Sequence, residues 1–105
     1  MSTPAIISIE KFPNFYLYKH WDGFPENTLG WLEDFNQRFI VNRGADENEN
    51  QYKAAQLVRS SVFEGPTFHL DPSHYTGWGI VTDDNWYADY HYVLKLDGTV
   101  EVIDL

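Results

Sequence analysis

Trp86-Tyr-Ala-Asp-Tyr90-His-Tyr-Val-Leu-Lys-Leu96-Asp-Gly98-Thr-Val-Glu-Val-Ile-Asp-Leu105 is the stretch that decides the fold. Trp86, Ala88, Tyr90, Tyr92, Leu94 and Leu96 alternate with Tyr87, Asp89, His91, Val93 and Lys95. A period of two belongs to a strand with one buried face, here the even-numbered one. The register of the returning strand follows from loop length. A two-residue loop at Asp97-Gly98 sets Leu94 opposite Glu101 and Tyr92 opposite Ile103, which mixes the faces. A three-residue loop, Leu96-Asp97-Gly98, sets Leu94 opposite Val100 and Tyr92 opposite Val102, and places Gly98 where such loops need a left-handed residue.

The same test upstream gives a second hairpin. A loop of Asp83-Asp84-Asn85 puts Trp78 opposite Tyr90, Ile80 opposite Ala88 and Thr82 opposite Trp86, so three antiparallel strands are predicted. At the other end, residues 6–12 and 15–20 read as two strands around the turn pair Pro13-Asn14. That pairing puts Ile7 and Ile9 on one face with Tyr16 and Tyr18.

Between these pairs the period becomes helical. Leu29, Leu32, Phe35, Phe39 and Ile40 recur at helix spacing, with Asn27 or Thr28 as the cap and Gly44 at the end. A second helix is expected from about Asp46, spaced to Glu49 like a capping box, with Tyr52, Ala55, Val58 and Val62 buried and Gly65-Pro66 as its stop. The order is ββααβββ. It predicts a single α+β domain over residues 1–105, an antiparallel sheet of about five strands with two helices on one face.

Composition narrows the function. The chain is 43% hydrophobic and 17% aromatic, so 105 residues can build one core from bulky side chains. Cysteine is absent, which removes disulfides, thiolate metal sites and thiol nucleophiles. The start has neither the basic region nor the apolar run of a signal peptide, and no segment is long and apolar enough to span a bilayer, so a cytoplasmic, soluble protein is expected. Seven basic residues against sixteen acidic ones give a net charge of −9. Nucleic acid and anionic membranes are bound largely through Lys and Arg, so both are disfavoured. The acidity serves solubility, or steers the protein toward a basic surface on another protein.

Tyr18-Lys-His20-Trp21-Asp22-Gly23-Phe24-Pro25, followed by a helix, resembles a family of small uncharacterised proteins from bacteria and bacteriophages. Its members carry a tyrosine-x-histidine-x-aspartate-glycine-aromatic-proline segment. The likeness is clearest from Tyr16 to about Leu32 and weaker at residues 77–83 and 88–90. Asn27-Thr28 enlarges the spacing after the proline, and residues 65–75 do not align. The resemblance implies a phage-related or bacterial cytoplasmic setting and no particular activity.

Several constellations bear on chemistry. His20 and Asp22 share a strand face if the strand continues through them. His69 and Asp71 repeat that spacing and His74 follows three residues later, so the two groups together form a candidate metal site. Asp22 would equally orient His20 as a general base in a small metal-dependent hydrolase. The plainer reading is structural: Asp22 bonds turn amides, Gly23 takes a positive φ, and His69-Leu-Asp71-Pro72 is a loop. Ser60-Ser61 and Ser73 lack a nucleophile's surroundings, His74-Tyr-Thr76 has no second His-x-Thr, and the glycines form no phosphate loop. No cofactor is called for.

Trp21 and Tyr87 fall on outward faces, where aromatics anchor interfaces or stack on small ligands. The favoured expectation is a non-enzymatic protein that binds a basic partner protein, or a second copy of itself. The contact would be made through His20, Trp21, Asp22, Gly23, Phe24 and Pro25 together with Tyr87 and Asp89. An aromatic small-ligand module is the further alternative.

Overall fold

Ala5-Ile-Ile-Ser-Ile9 is the most apolar run in the chain and forms β1 (Ala5–Ile9), all five residues of which are buried. A strand covered on both faces belongs inside a sheet, with a neighbour on each edge. The computed structural model describes residues 3–61 and 76–105. After β1 come β2 (Tyr16–Lys19), α1 (Pro25–Arg43), a 3₁₀ turn (Glu47–Glu49), α2 (Asn50–Ser61), β3 (Trp78–Val81), β4 (Tyr90–Leu94) and β5 (Val100–Asp104). The expected ββααβββ order and α+β class hold.

The strands lie in the order β3-β2-β1-β4-β5. The hairpin that opened the sequence reading is present as expected, with Leu94 opposite Val100, Tyr92 opposite Val102, and Gly98 at φ +93. The expected Trp78–Tyr90 hairpin is replaced. β3 pairs antiparallel with β2, Lys19 opposite Trp78, while β4 runs parallel to β1, Ile7 opposite Tyr92. The sheet is therefore mixed rather than antiparallel. β2 covers one edge of the apolar run, and inserting β4 beside β1 covers the other.

The β1–β2 register also differs. Ile7 faces Leu17, and Ser8 faces Tyr16. The connection is the longer stretch 10–15, containing left-handed Lys11 (φ +62) and Asn14 (φ +67), in place of a two-residue Pro13-Asn14 turn. An odd shift in register exchanges the faces. Ile7 and Ile9 thus share the helix-covered face with Leu17, and Tyr16 and Tyr18 join Ile6 and Ser8 on the other.

α1 starts one turn earlier than its expected caps. Phe24 is the N-cap residue and Pro25 occupies the first turn, where its missing N–H costs nothing. Thr28 lies inside the helix and donates its hydroxyl to the Asp22 carbonyl at 3.1 Å. Gly44 ends the helix at φ +94, as expected. Asp46 caps the 3₁₀ turn by accepting from the Asn48 amide, and Glu49 pairs with Arg43 rather than closing a capping box. The buried stripe of α2 is Asn50, Lys53, Ala54, Leu57 and Ser61; Tyr52 and Ala55 are exposed. Val62, Gly65 and Pro66 lie outside the described residues.

Leu32 of α1 and Ala54 and Leu57 of α2 close over Ala5, Ile7, Ile9, Leu17, Tyr92 and Leu94, so both helices cover one face. Polar side chains within this layer tie loops to it. Asn36 donates to the carbonyls of Lys95 and Thr99, both at 2.9 Å, and Asn50 to that of Glu10. Tyr92, fully buried, donates its hydroxyl to the Gly23 carbonyl at 2.6 Å, and burial pushes that phenol up to about 12. Tyr92→Phe should lower stability by about 1–2 kcal/mol, because the carbonyl loses a buried donor. An unchanged urea midpoint would show that the bond contributes nothing.

Candidate functional site

The segment between β2 and α1 is shaped by contacts to the start of β1. The Gly23 amide donates to the Thr3 carbonyl at 2.7 Å, and its own carbonyl accepts from Tyr92. A Cβ on Gly23 would stand 2.6 Å from the Ala5 Cβ and 2.7 Å from the Thr3 oxygen. The positive φ expected at Gly23 sits instead on Asp22, at +59. Glycine is required here for close approach.

That backbone turn also removes the strand argument for His20 and Asp22. β2 ends at Lys19, and Asp22 is left-handed, so alternation does not carry across the pair. The His20 amide donates to the Gly77 carbonyl at 2.8 Å, and its Nδ1 lies 3.2 Å from the Tyr18 hydroxyl. Trp21 lies flat on Gly77, whose Cβ, if present, would be 2.7 Å from the indole. Phe24 and Pro25 are half-buried at the head of α1. Among the described residues no three His, Asp or Glu side chains gather closely enough to hold a metal ion. His69, Asp71 and His74 lie outside the described residues.

Tyr87 and Asp89 stand on the connection from β3 to β4, which must pass from one sheet edge to the far side of β1. Trp86 on this connection packs against Tyr18 with ring centroids 5.4 Å apart, on the face away from the helices. Its expected inward position is thereby corrected, since β4 begins only at Tyr90. Tyr87 donates to Asp89 at 2.8 Å, and that neighbouring carboxylate raises the phenol's pKa. The Asp89 amide donates to Pro4, next to the Thr3 that holds Gly23. The fold thus gathers both halves of the expected contact surface at one end of the sheet. Rings of Trp86, Tyr18, His20 and Trp21 follow one another across it at 5.4–6.0 Å. Trp21, Trp86 and Tyr87 are 39%, 53% and 74% exposed.

The same sheet face holds a pair that no sequence pattern announces. Ser8 Oγ and His91 Nε2 are 2.8 Å apart, 83 residues distant in the chain, beside a cavity of about 230 Å³ that includes Tyr16 and Lys11. Burial lowers the His91 pKa and favours the neutral ring. A serine and imidazole in contact are the core of a nucleophile–base pair. Ser8, however, lies in the central strand, whose own backbone amides serve the ladders on both edges. The pair satisfies two polar groups on a crowded face.

The fold is a two-layer α+β arrangement, its mixed sheet carrying helices on one side and the rings of Tyr16, Tyr18 and Trp86 on the other. No helix among the described residues is long and apolar enough to cross a membrane. No family model matches the chain, and comparison with curated proteins and with solved structures gives no match.

Proposed function

We propose that the protein is a non-enzymatic, phage-related accessory module that binds a partner protein of basic surface through the ring-lined end of its sheet. The exposure of Trp86 and Tyr87 side by side carries this reading. Large aromatics left in water are poor for a monomer and good as anchors that desolvate in a partner's pocket. Asp22, Asp83, Asp84 and Asp89 flank the rings in sequence, so the approach is steered toward positive charge. Gly23, Phe24 and Pro25 shape the surface from beneath, and His20 and Trp21 complete its row of rings.

The test compares the native protein with a Trp86→Ala, Tyr87→Ala double variant in capture from bacterial lysate, followed by titration of the purified partner. Loss of two anchors should weaken a basic, salt-sensitive partner by about 30-fold or more. Equal affinity for the two proteins overturns the surface assignment. Sedimentation of both proteins identifies a self-association that uses the same face. Circular dichroism and a urea curve establish that the variant is folded.

A further inference from the structure

All three arginines of this acidic chain, Arg38, Arg43 and Arg59, line one groove between α1 and α2. Its volume is about 580 Å³, within the range of sites that hold metabolites. It lies in the helical layer, separate from the surface with Trp86 and Tyr87. The lining positions on α1 run from Trp31 through Phe35 and Phe39 to Arg43, each four residues on, which makes one continuous face. On α2, Tyr52 and Ala55 form the facing wall. These are the residues whose spacing suggested a buried stripe. On α2 the core takes the neighbouring face, so Tyr52 is left about half exposed over the groove, while Trp31 and Phe35 are partly buried and Phe39 is buried at its floor.

We infer that this groove is a binding site for a small aromatic anion of the nucleoside phosphate class, with the base against the aromatic wall and the phosphates on the arginines. The lining carries three guanidinium groups and one carboxylate, Asp34, and Glu49 beside it pairs with Arg43, so among the described residues cations still outnumber anions here on a protein of net charge −9. The Arg38–Asp34 pair, 3.0 Å long, has both side chains largely in solvent. Such pairs hold their partners weakly, and the guanidinium fork suits a phosphate better. Arg43 is already arranged. Glu49 holds it at 2.8 Å, and its guanidinium lies 4.8 Å from the Tyr52 ring centre. Arg59 donates to Gln56 at 3.2 Å on the same wall. The Lys53 ammonium lies 5.4 Å from the ring of Phe39, which contributes to the lining, and adds positive potential.

Size separates a small anion from a polymer. Repulsion from exposed carboxylates is screened beyond about 8 Å at physiological salt, so a mononucleotide in the groove is governed by the arginines. A nucleic acid strand would continue past the groove onto acidic surface, where its phosphates are repelled.

The experiment is calorimetric titration of the full chain with ADP, adenosine and inorganic phosphate, repeated with Arg38→Gln/Arg59→Gln and Tyr52→Ala variants. ADP is expected to bind saturably, at least about tenfold more tightly than adenosine or phosphate alone, because only it engages both walls. The arginine variant should lose about tenfold or more in ADP affinity, and the Tyr52 variant a comparable amount. All substituted positions are solvent-facing, so thermal unfolding should report folded proteins. Saturation no tighter for ADP than for phosphate overturns the assignment. So does ADP affinity unaffected by either variant. A glutamate-rich helical peptide that binds more tightly than ADP and displaces it would also overturn it, in favour of a protein ligand. Because the groove and the Trp86–Tyr87 surface are separate, the arginine variant should still capture the partner protein, so either proposal can fail alone.

Discussion

Gly23→Ala is expected to destabilise the protein by about 3 kcal/mol or more, the upper range for forced overpacking together with lost buried hydrogen bonds. The added methyl would meet the Ala5 Cβ at 2.6 Å, the Thr3 oxygen at 2.7 Å and the Ala5 nitrogen at 3.1 Å. Two of those atoms are backbone, and Ala5 opens the central strand, so none can swing aside as a flexible side chain would. Relief requires the turn to lift. That movement breaks the Gly23 amide bond to Thr3 and withdraws the carbonyl from Tyr92. Gly30→Ala is the matched control, since Gly30 is exposed within α1 with nothing within 4 Å of a new Cβ. Helix propensity alone should make that variant more stable by about 1 kcal/mol. Urea midpoints moving in opposite directions for the two substitutions would bear this out. A Gly23→Ala midpoint equal to the native one would show that the turn yields freely.

Lys53→Met should stabilise the protein by about 1–3 kcal/mol, as replacement of buried charge by a chain of similar volume often does. Lys53 is 1% exposed, and its ammonium has no hydrogen-bond partner among the described residues. The buried Oδ1 atoms of Asn36 and Asn50 are likewise without partners and do not bond to it. Burial, the largest cause, lowers the lysine's pKa, and Glu10 partly offsets it. The folded state then binds fewer protons than the unfolded one between the lowered and the ordinary pKa, so native stability rises with pH through that window. Below the window the full penalty is present. The advantage of the methionine variant should therefore be largest near neutrality and narrow toward about pH 10. Above that, Tyr92 acts in the opposite sense: its raised pKa keeps a proton that the unfolded chain releases, and stability falls. Denaturant curves at neutrality and near pH 10 test the sign directly. A methionine variant less stable than native at neutral pH would mean that the ammonium is better accommodated than its contacts indicate.

The parts of the fold legible in sequence are those where two local signals coincide. For the β4–β5 hairpin, alternation chooses the face and Gly98 chooses the loop, and both agree on Leu94 opposite Val100. For α1, apolar spacing marks the body and Gly44 the C-terminal end, while the start lies a turn before the expected caps Asn27 and Thr28. The β1–β4 pairing carries no local signal, because each strand reads the same whichever partner it meets. The β1–β2 register was hidden by Lys11 and Asn14, which adopt left-handed turns that no glycine announces. On α2 the expected apolar stripe holds only in part: Val58 packs against the core, but Tyr52 and Ala55 are exposed and the core-facing positions include Asn50, Lys53 and Ser61. The site follows the same rule. Trp21 and Tyr87 are exposed, but both lie beyond the strands whose alternation suggested it, and the same alternation placed exposed Trp86 inward; the Ser8–His91 contact and the meeting of three arginines exist only once distant elements pack.

The parallel pairing of β1 with β4 also sets the order in which the molecule can be made. Residues 5–9 leave the ribosome before the strand that covers one of their edges, which emerges more than eighty residues later. Until then, Ala5-Ile-Ile-Ser-Ile9 presents an uncharged apolar edge that other chains can join. The nascent N-terminal hairpin and helices can assemble only provisionally, and long-range closure of this kind is slow compared with helix formation. Completion of the β4–β5 hairpin is thus the event that converts an aggregation-prone chain into a folded one.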